Sequence, residues 1–214
     1  MTNLHPAKPR RALVVIDVQQ EYLDGMLTIG YPDPSRSIVE IGRAMDAAAA
    51  SAIPVVVFQH EFPAGAPLFA PGSKSHSLHP EIERRAHLAA MRVSKRFASI
   101  FEGAGFLDWV RSQQIDTLSL TGYMTNNCVL ASAAAAEPLG LTVEVLSDAT
   151  GAPPLSNAAG AASAETIHKS VMTLLHSNWA AVTTTSGWID ALRSGVPIAK
   201  GGLPPSALAG RASN

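Results

Sequence analysis

Strands alternating with helices through the whole chain predict an α/β fold, a three-layer α-β-α sandwich on a mostly parallel sheet of about six strands. Two apolar runs, 12–18 and 53–58, are continuous rather than alternating, the pattern of strands buried on both faces of a parallel sheet. A helical segment separates these two runs, so their connection is a crossover, and crossovers between parallel strands are right-handed. The 214 residues, 47% of them hydrophobic, suffice for one core of ordinary size, and neither a repeat nor a linker divides them. One domain over 1–198 is expected, with a flexible tail rich in Gly, Pro, Ala and Ser over 199–214.

The first strand, 12–18, carries a carboxylate, Asp17, at its end. A helix over 35–51 follows, introduced by Asp33-Pro34, and 53–58 is the second buried strand. From His60 to about Pro80 the chain is rich in Pro, Gly, Ser and His without apolar period, which reads as a long loop of the kind that carries function. A short segment at 90–94 precedes Lys95, and a helix over 105–113 leads into a strand at 116–121. After the turn from Gly122 to Asn127, an Ala-rich helix holding Cys128 in its first turn runs to Glu137 and stops before Pro138. A strand at 141–146, a helix over 157–176, a strand at 179–184 and a helix over 186–193 complete the pattern.

Composition excludes several classes of function. The net charge is -1 and the basic residues are scattered, so there is no footprint for nucleic acid or for a membrane surface. No apolar run approaches the roughly 20 residues that cross a bilayer. One cysteine makes no internal disulfide, and the N-terminus has no signal-peptide apolar stretch, so a cytoplasmic protein with a small-molecule partner is expected.

That one cysteine, Cys128, stands where a strand turns into a helix. Unpaired N–H groups and the helix dipole at such a position favour thiolate over thiol. Ligands of open parallel sheets bind at the carboxyl ends of strands where the strand order changes direction. Asp17 and Cys128 both fall there, and Lys95 ends the segment between them. Read alone, Asp17 could cap a turn and Lys95, beside Arg96, could be a solvated edge. Together they would supply a nucleophile, its proton acceptor and a charge that stabilises both anions. Gln19 and Tyr22 follow Asp17 closely enough to line a pocket, and His60, Phe62, Phe69 and Tyr123 are further candidates to shape it.

Four pieces in order, VVIDVQQEYLDG with Asp17, SKRFASIF with Lys95, LTGYMTNNCVLASAAAA with Cys128, and VEVLSDATGA, extend over most of 11–193. The chain resembles the isochorismatase-like cysteine hydrolases, which include nicotinamidases, N-carbamoylsarcosine amidohydrolases and streptothricin hydrolases. The resemblance implies a catalytic triad of Asp17, Lys95 and Cys128, a cis peptide at Tyr123-Met124, and an oxyanion hole from the N–H groups of Met124 and Cys128. It also implies a homo-oligomer, a dimer or tetramer. Nicotinamidases of this family hold zinc or iron with an Asp-x-His pair and further histidines after the second strand. Here VVVFQHEFPAG puts Gln59 at the acidic position, and although His76 and His79 are spaced to share a helical turn, no metal and no cofactor are expected.

A retained cysteine points to acyl chemistry, hydrolysis of a C–N bond in a small amide, carbamoyl group or lactam through a thioester. The alternative within the family is an isochorismatase-type vinyl ether hydrolase. A non-catalytic binder or redox sensor is the alternative of another class, and the lack of a second cysteine to resolve a sulfenic acid speaks against the sensor.

Overall fold

The computed structural model describes residues 8–213. Its strands in chain order are β1 (Arg11–Ile16), β2 (Val55–His60), β3 (Ala89–Lys95), β4 (Thr117–Tyr123), β5 (Thr142–Gly151), β6 (Leu155–Asn157), β7 (Gly160–Ala162) and β8 (Ala181–Thr183). The helices are α1 (Glu21–Asp24), α2 (Pro34–Ala50), α3 (Pro80–Glu83), α4 (Phe106–Ser112), α5 (Leu130–Ala136), α6 (Ala164–Ser177), α7 (Thr185–Ser194) and α8 (Leu203–Ala212). One six-stranded sheet runs β3-β2-β1-β4-β5-β8, with every neighbouring pair parallel.

The continuous apolar runs have the cause expected of them. Along β1, Ala12, Val14 and Ile16 pack with Phe106 and Val110 of α4, Ala133 of α5 and Met172 of α6, whereas Leu13 and Val15 pack with Ile38, Ile41 and Met45 of α2 and Trp188 of α7. Both faces of the sheet are therefore covered, giving the three layers. Helix α2 starts where the sequence places it, because the Asp33 carboxylate accepts the Ser35 N–H and Pro34 occupies the first turn.

Four segments depart from the sequence reading. The helix expected from 157 begins at Ala164, where Ser163 caps it by accepting the Thr166 N–H. The preceding residues form the β6–β7 hairpin instead, turned by Asn157, whose side chain accepts the Ala159 N–H, and by Gly160 at φ 141°. Strand β5 continues to Gly151, five residues past its expected end, after a register shift against β4. The segment read as a tail from 199 contains α8, none of whose residues is buried. Cys128 lies in a π-helical turn, Thr125–Val129, and the regular helix α5 starts only at Leu130.

The strand order reverses at β1, with β2 and β3 on one side and β4, β5 and β8 on the other. The crevice at the carboxyl ends of β1 and β4 is therefore the switch point of the sheet. Gly122 makes it narrow. It pairs with Ile16 at φ 97°, and a Cβ there would sit 2.0 Å from the Ile16 carbonyl oxygen. Only glycine lets the end of β4 approach the last residue of β1 this closely.

Candidate active site

Asp17 is the first residue beyond β1, and its backbone turns into the left-handed region at φ 51°, which Asp tolerates better than most residues. Its N–H still donates to the Phe58 carbonyl at 3.1 Å, so the strand ladder holds the turn from one side. Lys95 is the last residue of β3 and pairs in register with His60. Its side chain reaches over the end of β2 to the switch point. There Nζ lies 2.6 Å from Asp17 Oδ2, 3.2 Å from His60 Nδ1 and 3.3 Å from Cys128 Sγ, and it donates to the Phe97 carbonyl at 3.0 Å.

All three side chains are buried. Asp17 Oδ2 lies 2.6 Å from Lys95 Nζ with the Cys128 thiol beside the same carboxylate, and no hydroxyl, amide or backbone N–H donates to either oxygen. The carboxylate thus keeps unused acceptor capacity beside a thiol. Burial pushes the Cys128 thiol up to about 12, and the Asp17 charge adds to this while Lys95 opposes it. A single cation between two potential anions holds one of them comfortably, and a thiolate beside Asp17 would leave a net negative charge in a closed site. Against the helix-terminus argument, burial pushes the thiol up, and the π turn displaces Cys128 from the first turn of the regular helix. His60 is kept neutral by burial and then by the Lys95 charge, against the pull of Asp17.

The candidates read as pocket residues divide into two sets. Tyr22, His60, Phe62 and Phe69 form one aromatic wall, with ring centroids 5.5 Å apart for Tyr22–Phe69, 4.9 Å for His60–Phe62 and 5.1 Å for His60–Phe69. Gln19 and Tyr123 are instead framework. The Gln19 amide donates to the carbonyls of His60 and His76 and accepts the His60 N–H, pinning the 61–79 loop to the end of β2. The Tyr123 hydroxyl lies 2.6 Å from Ser37 Oγ of α2, and its ring backs Tyr22. Both residues are fully buried, with their polar groups already engaged.

The turn bearing Cys128 has a cis peptide bond at Tyr123–Met124. Two braces of this turn escaped the sequence reading. Ser132 Oγ donates to the Cys128 carbonyl at 2.6 Å and accepts the Ile100 N–H, and Thr125 Oγ1 lies 3.0 Å from His168 Nδ1. Ser132 is detectable in principle, since it is the one polar residue within the Ala-rich helix and stands one turn after Cys128. His168 has no local signal, because its partner is 43 residues away.

The histidines of the long loop do not converge on a metal. His79 Nδ1 accepts the Glu81 N–H as the cap of α3, His76 faces Glu61 at 3.8 Å, and the Gln59 amide donates to the His76 carbonyl. Among the described residues, the only group of three such ligands is Asp17, His60 and Cys128, with donor atoms within 4.8 Å of one another. Lys95 Nζ stands in contact with all three, so an ammonium group already fills the place of a cation.

A thiol, a carboxylate and an ammonium group buried together at the switch point of a parallel sheet define a cysteine hydrolase. The particular family follows from comparison: the Isochorismatase domain matches residues 11–186, and the chain belongs to that family. The secreted isochorismatase effector Isc1 of Verticillium dahliae is 34% identical over 143 residues, covering 65% of this chain and 71% of that protein. A provisionally named isochorismatase of Burkholderia xenovorans, known from a crystal structure, is 48% identical with a TM-score of 0.94, covering 97% of this chain and 99% of that one. Nicotinamidase PncA from Bacillus subtilis shares the fold at 22% identity and a TM-score of 0.68, covering 81% of this chain and 99% of that one.

Proposed function

We propose that the protein hydrolyses a C–N bond of a small amide, carbamoyl compound or lactam through a thioester on Cys128. The observation that carries this reading is the position of Lys95 Nζ, in contact with both Asp17 and Cys128 inside one buried site. As the sulfur attacks the carbonyl carbon, Asp17 takes the thiol proton, so negative charge leaves the carboxylate as it builds on the substrate oxygen. Lys95 Nζ, in contact with both groups, steadies whichever neighbour is anionic. The backbone N–H groups of Met124 and Cys128 receive the oxyanion, and loss of one such donor typically costs about 10²- to 10³-fold in rate. When the tetrahedral adduct collapses, the C–N bond breaks and the leaving nitrogen takes the proton from Asp17.

Water then adds to the thioester, giving its proton to Asp17. The C–S bond breaks, the sulfur recovers that proton, and the acid departs. One carboxylate without fixed hydrogen bonds serves all four transfers, which a fully satisfied one would resist. The aromatic wall of Tyr22, His60, Phe62 and Phe69 supports a small substrate with an apolar face.

The Verticillium effector and the Burkholderia protein, both isochorismatases by name, favour a second reading, isochorismatase-type cleavage of a vinyl ether, which would need Asp17 as an acid and would leave Cys128 idle. The test is an amide and carbamoyl panel run beside isochorismate with wild type and Cys128→Ser. Acid and amine in equal amounts from an amide, lost in the variant, is the expected result. Cleavage of isochorismate alone, undiminished in Cys128→Ser, would overturn the amide reading. The same reading places the protein in the cytoplasm as a dimer or tetramer, which fractionation and light scattering check. Among the described residues no helix is long and apolar enough to cross a membrane.

A further inference from the structure

We propose that His168 is a positioning residue for this reaction: from α6 it holds the Thr125 hydroxyl, and through it the turn that presents Cys128 and the two N–H groups assigned to the oxyanion. The inference rests on the hydrolytic reading of that turn and adds a residue to it from a distant helix.

Thr125 opens the π-helical turn directly after the cis bond and is fully buried. Its backbone carbonyl accepts the N–H of Leu130, the first residue of α5, so the main chain is tied on one side. Its side chain is tied on the other, to His168 Nδ1 at 3.0 Å. A turn anchored at both sides of its first residue has little freedom to move Met124 or Cys128, which lie on either side of Thr125.

The imidazole suits this task. It is buried, and burial pulls it down to about 4, against a backbone hydrogen bond to Ser147 that works the other way, so the ring is neutral at neutral pH. A neutral imidazole has one donor and one acceptor nitrogen. With the ring neutral, Nδ1 can serve as the acceptor of the Thr125 hydroxyl 3.0 Å away.

Packing alone does not hold the ring there. The Tyr31 ring meets it edge-on at 5.5 Å, and a cavity of about 480 Å³ lies alongside, lined in part by Tyr31, Asp148, His168, Lys169 and Val182. Asp17, Lys95 and Cys128 do not line this cavity. With a cavity on one side, the ring has fewer packing neighbours there, and its bond to Thr125 is the polar contact that ties it to the turn.

The experiment uses Thr125→Val, which removes the hydroxyl at nearly constant volume, Thr125→Ser, which restores it, His168→Phe, and the double variant Thr125→Val/His168→Phe. Positioning predicts that Thr125→Val and His168→Phe each lower kcat about 10- to 100-fold with KM within about twofold, because misplaced catalytic groups cost rate more than binding, and a His168→Phe kcat within twofold of wild type would overturn the proposal. Thr125→Ser recovers to within about threefold of wild type, and the double variant falls no further than the worse single one. Alkylation of Cys128 by iodoacetamide, read by intact mass, needs no turnover and slows in Thr125→Val. A Thr125→Val kcat within twofold of wild type, equal losses in the Val and Ser variants, or losses that multiply in the double variant would each overturn the proposal. If wild type turns over no amide, alkylation alone decides: slower labelling of Thr125→Val with recovery in Thr125→Ser upholds the positioning while the hydrolytic reading fails, and equal labelling of all three overturns it.

Discussion

Strand β1 begins and ends at a buried ion pair, and the two pairs are built in opposite ways. At its start, Arg11 meets Glu144 of β5 with Nε 3.0 Å from both carboxylate oxygens and Nη2 2.8 Å from Oε1. The remaining capacity is filled as well: Glu144 Oε2 accepts the Ser119 hydroxyl at 2.7 Å and the Trp188 indole N–H at 3.1 Å. At the other end, Asp17 has only Lys95 Nζ at 2.6 Å and the Cys128 thiol beside it, and no hydroxyl, indole or backbone donor fills its remaining capacity. Desolvating a charge is expensive unless its lone pairs are satisfied. The first pair is satisfied and holds three strands and α7 together. The second is left wanting a proton, which is what a group that must accept and release one needs.

The largest expected effect bears on the second pair. Asp17→Asn and Cys128→Ser should each lower kcat/KM by about 10⁴-fold or more, because removing one member of a cooperating catalytic set removes most of what the set achieves. Cys128→Ser should leave the melting temperature near that of wild type, whereas Asp17→Asn strips the buried Lys95 of its counter-ion and should lower it, so rates are compared per folded molecule. If Asp17→Asn keeps a tenth of the wild-type rate in a steady-state assay, the carboxylate is not the proton acceptor and the contrast between the two pairs collapses.

Next comes the first pair. Glu144→Ala leaves Arg11 buried without a counter-ion and strands the Ser119 hydroxyl, and should cost about 3–5 kcal/mol of stability. Urea titration measures the loss, and kcat per folded molecule should stay within about twofold. A large fall in kcat from a variant still folded would show that the two ends of β1 are coupled.

How much of this was legible beforehand depends on how local each signal is. The motifs around Asp17, Lys95 and Cys128 place the site because each is a strand end followed by a turn, which the chain writes in consecutive residues. The aromatic wall was readable for the same reason, since His60, Phe62 and Phe69 follow one strand. The bonds of Gln19 and Tyr123 were not legible, because proximity in sequence to Asp17 and Cys128 says nothing of which backbone groups or hydroxyls they meet across the fold. Nor does the stretch 157–163 betray its hairpin, because Ala and Gly there have helical and turn propensity without an apolar period to arbitrate. Glu144 sits in plain view inside an apolar strand, yet only the fold shows that Arg11 and Trp188 satisfy it.

A milder change sharpens the comparison. Replacing a poorly satisfied buried pair with neutral groups of similar size is often neutral or stabilising. Asp17→Asn/Lys95→Met should therefore gain about 1–3 kcal/mol in urea titration, whereas Arg11→Met/Glu144→Gln should lose stability, since Ser119 and Trp188 keep donors aimed at a weaker acceptor. Equal and opposite signs from those expected would mean that the hydrogen bonds counted around Glu144 do not decide its stability.

The smallest effect is the most specific to the site, because it separates the two roles of one carboxylate. In the folded protein the thiol is pushed up to about 12, so at pH 8 nearly all of Cys128 is protonated and iodoacetamide alkylation should be slow, rising log-linearly with pH rather than levelling near the ordinary thiol value of 9.0. Asp17 is one cause of that shift, after burial, and Lys95 acts against it. Asp17→Asn removes the opposing anion and keeps the cation, so the thiol should fall, and alkylation at pH 8 should quicken by about tenfold for each unit of fall. The same variant then reacts faster with an electrophile that needs only a thiolate and hardly at all with an amide that needs a proton moved. Were Asp17→Asn to slow both reactions alike, the carboxylate would be holding the sulfur in place rather than receiving its proton, and the unsatisfied oxygens would mark a structural debt instead of a base.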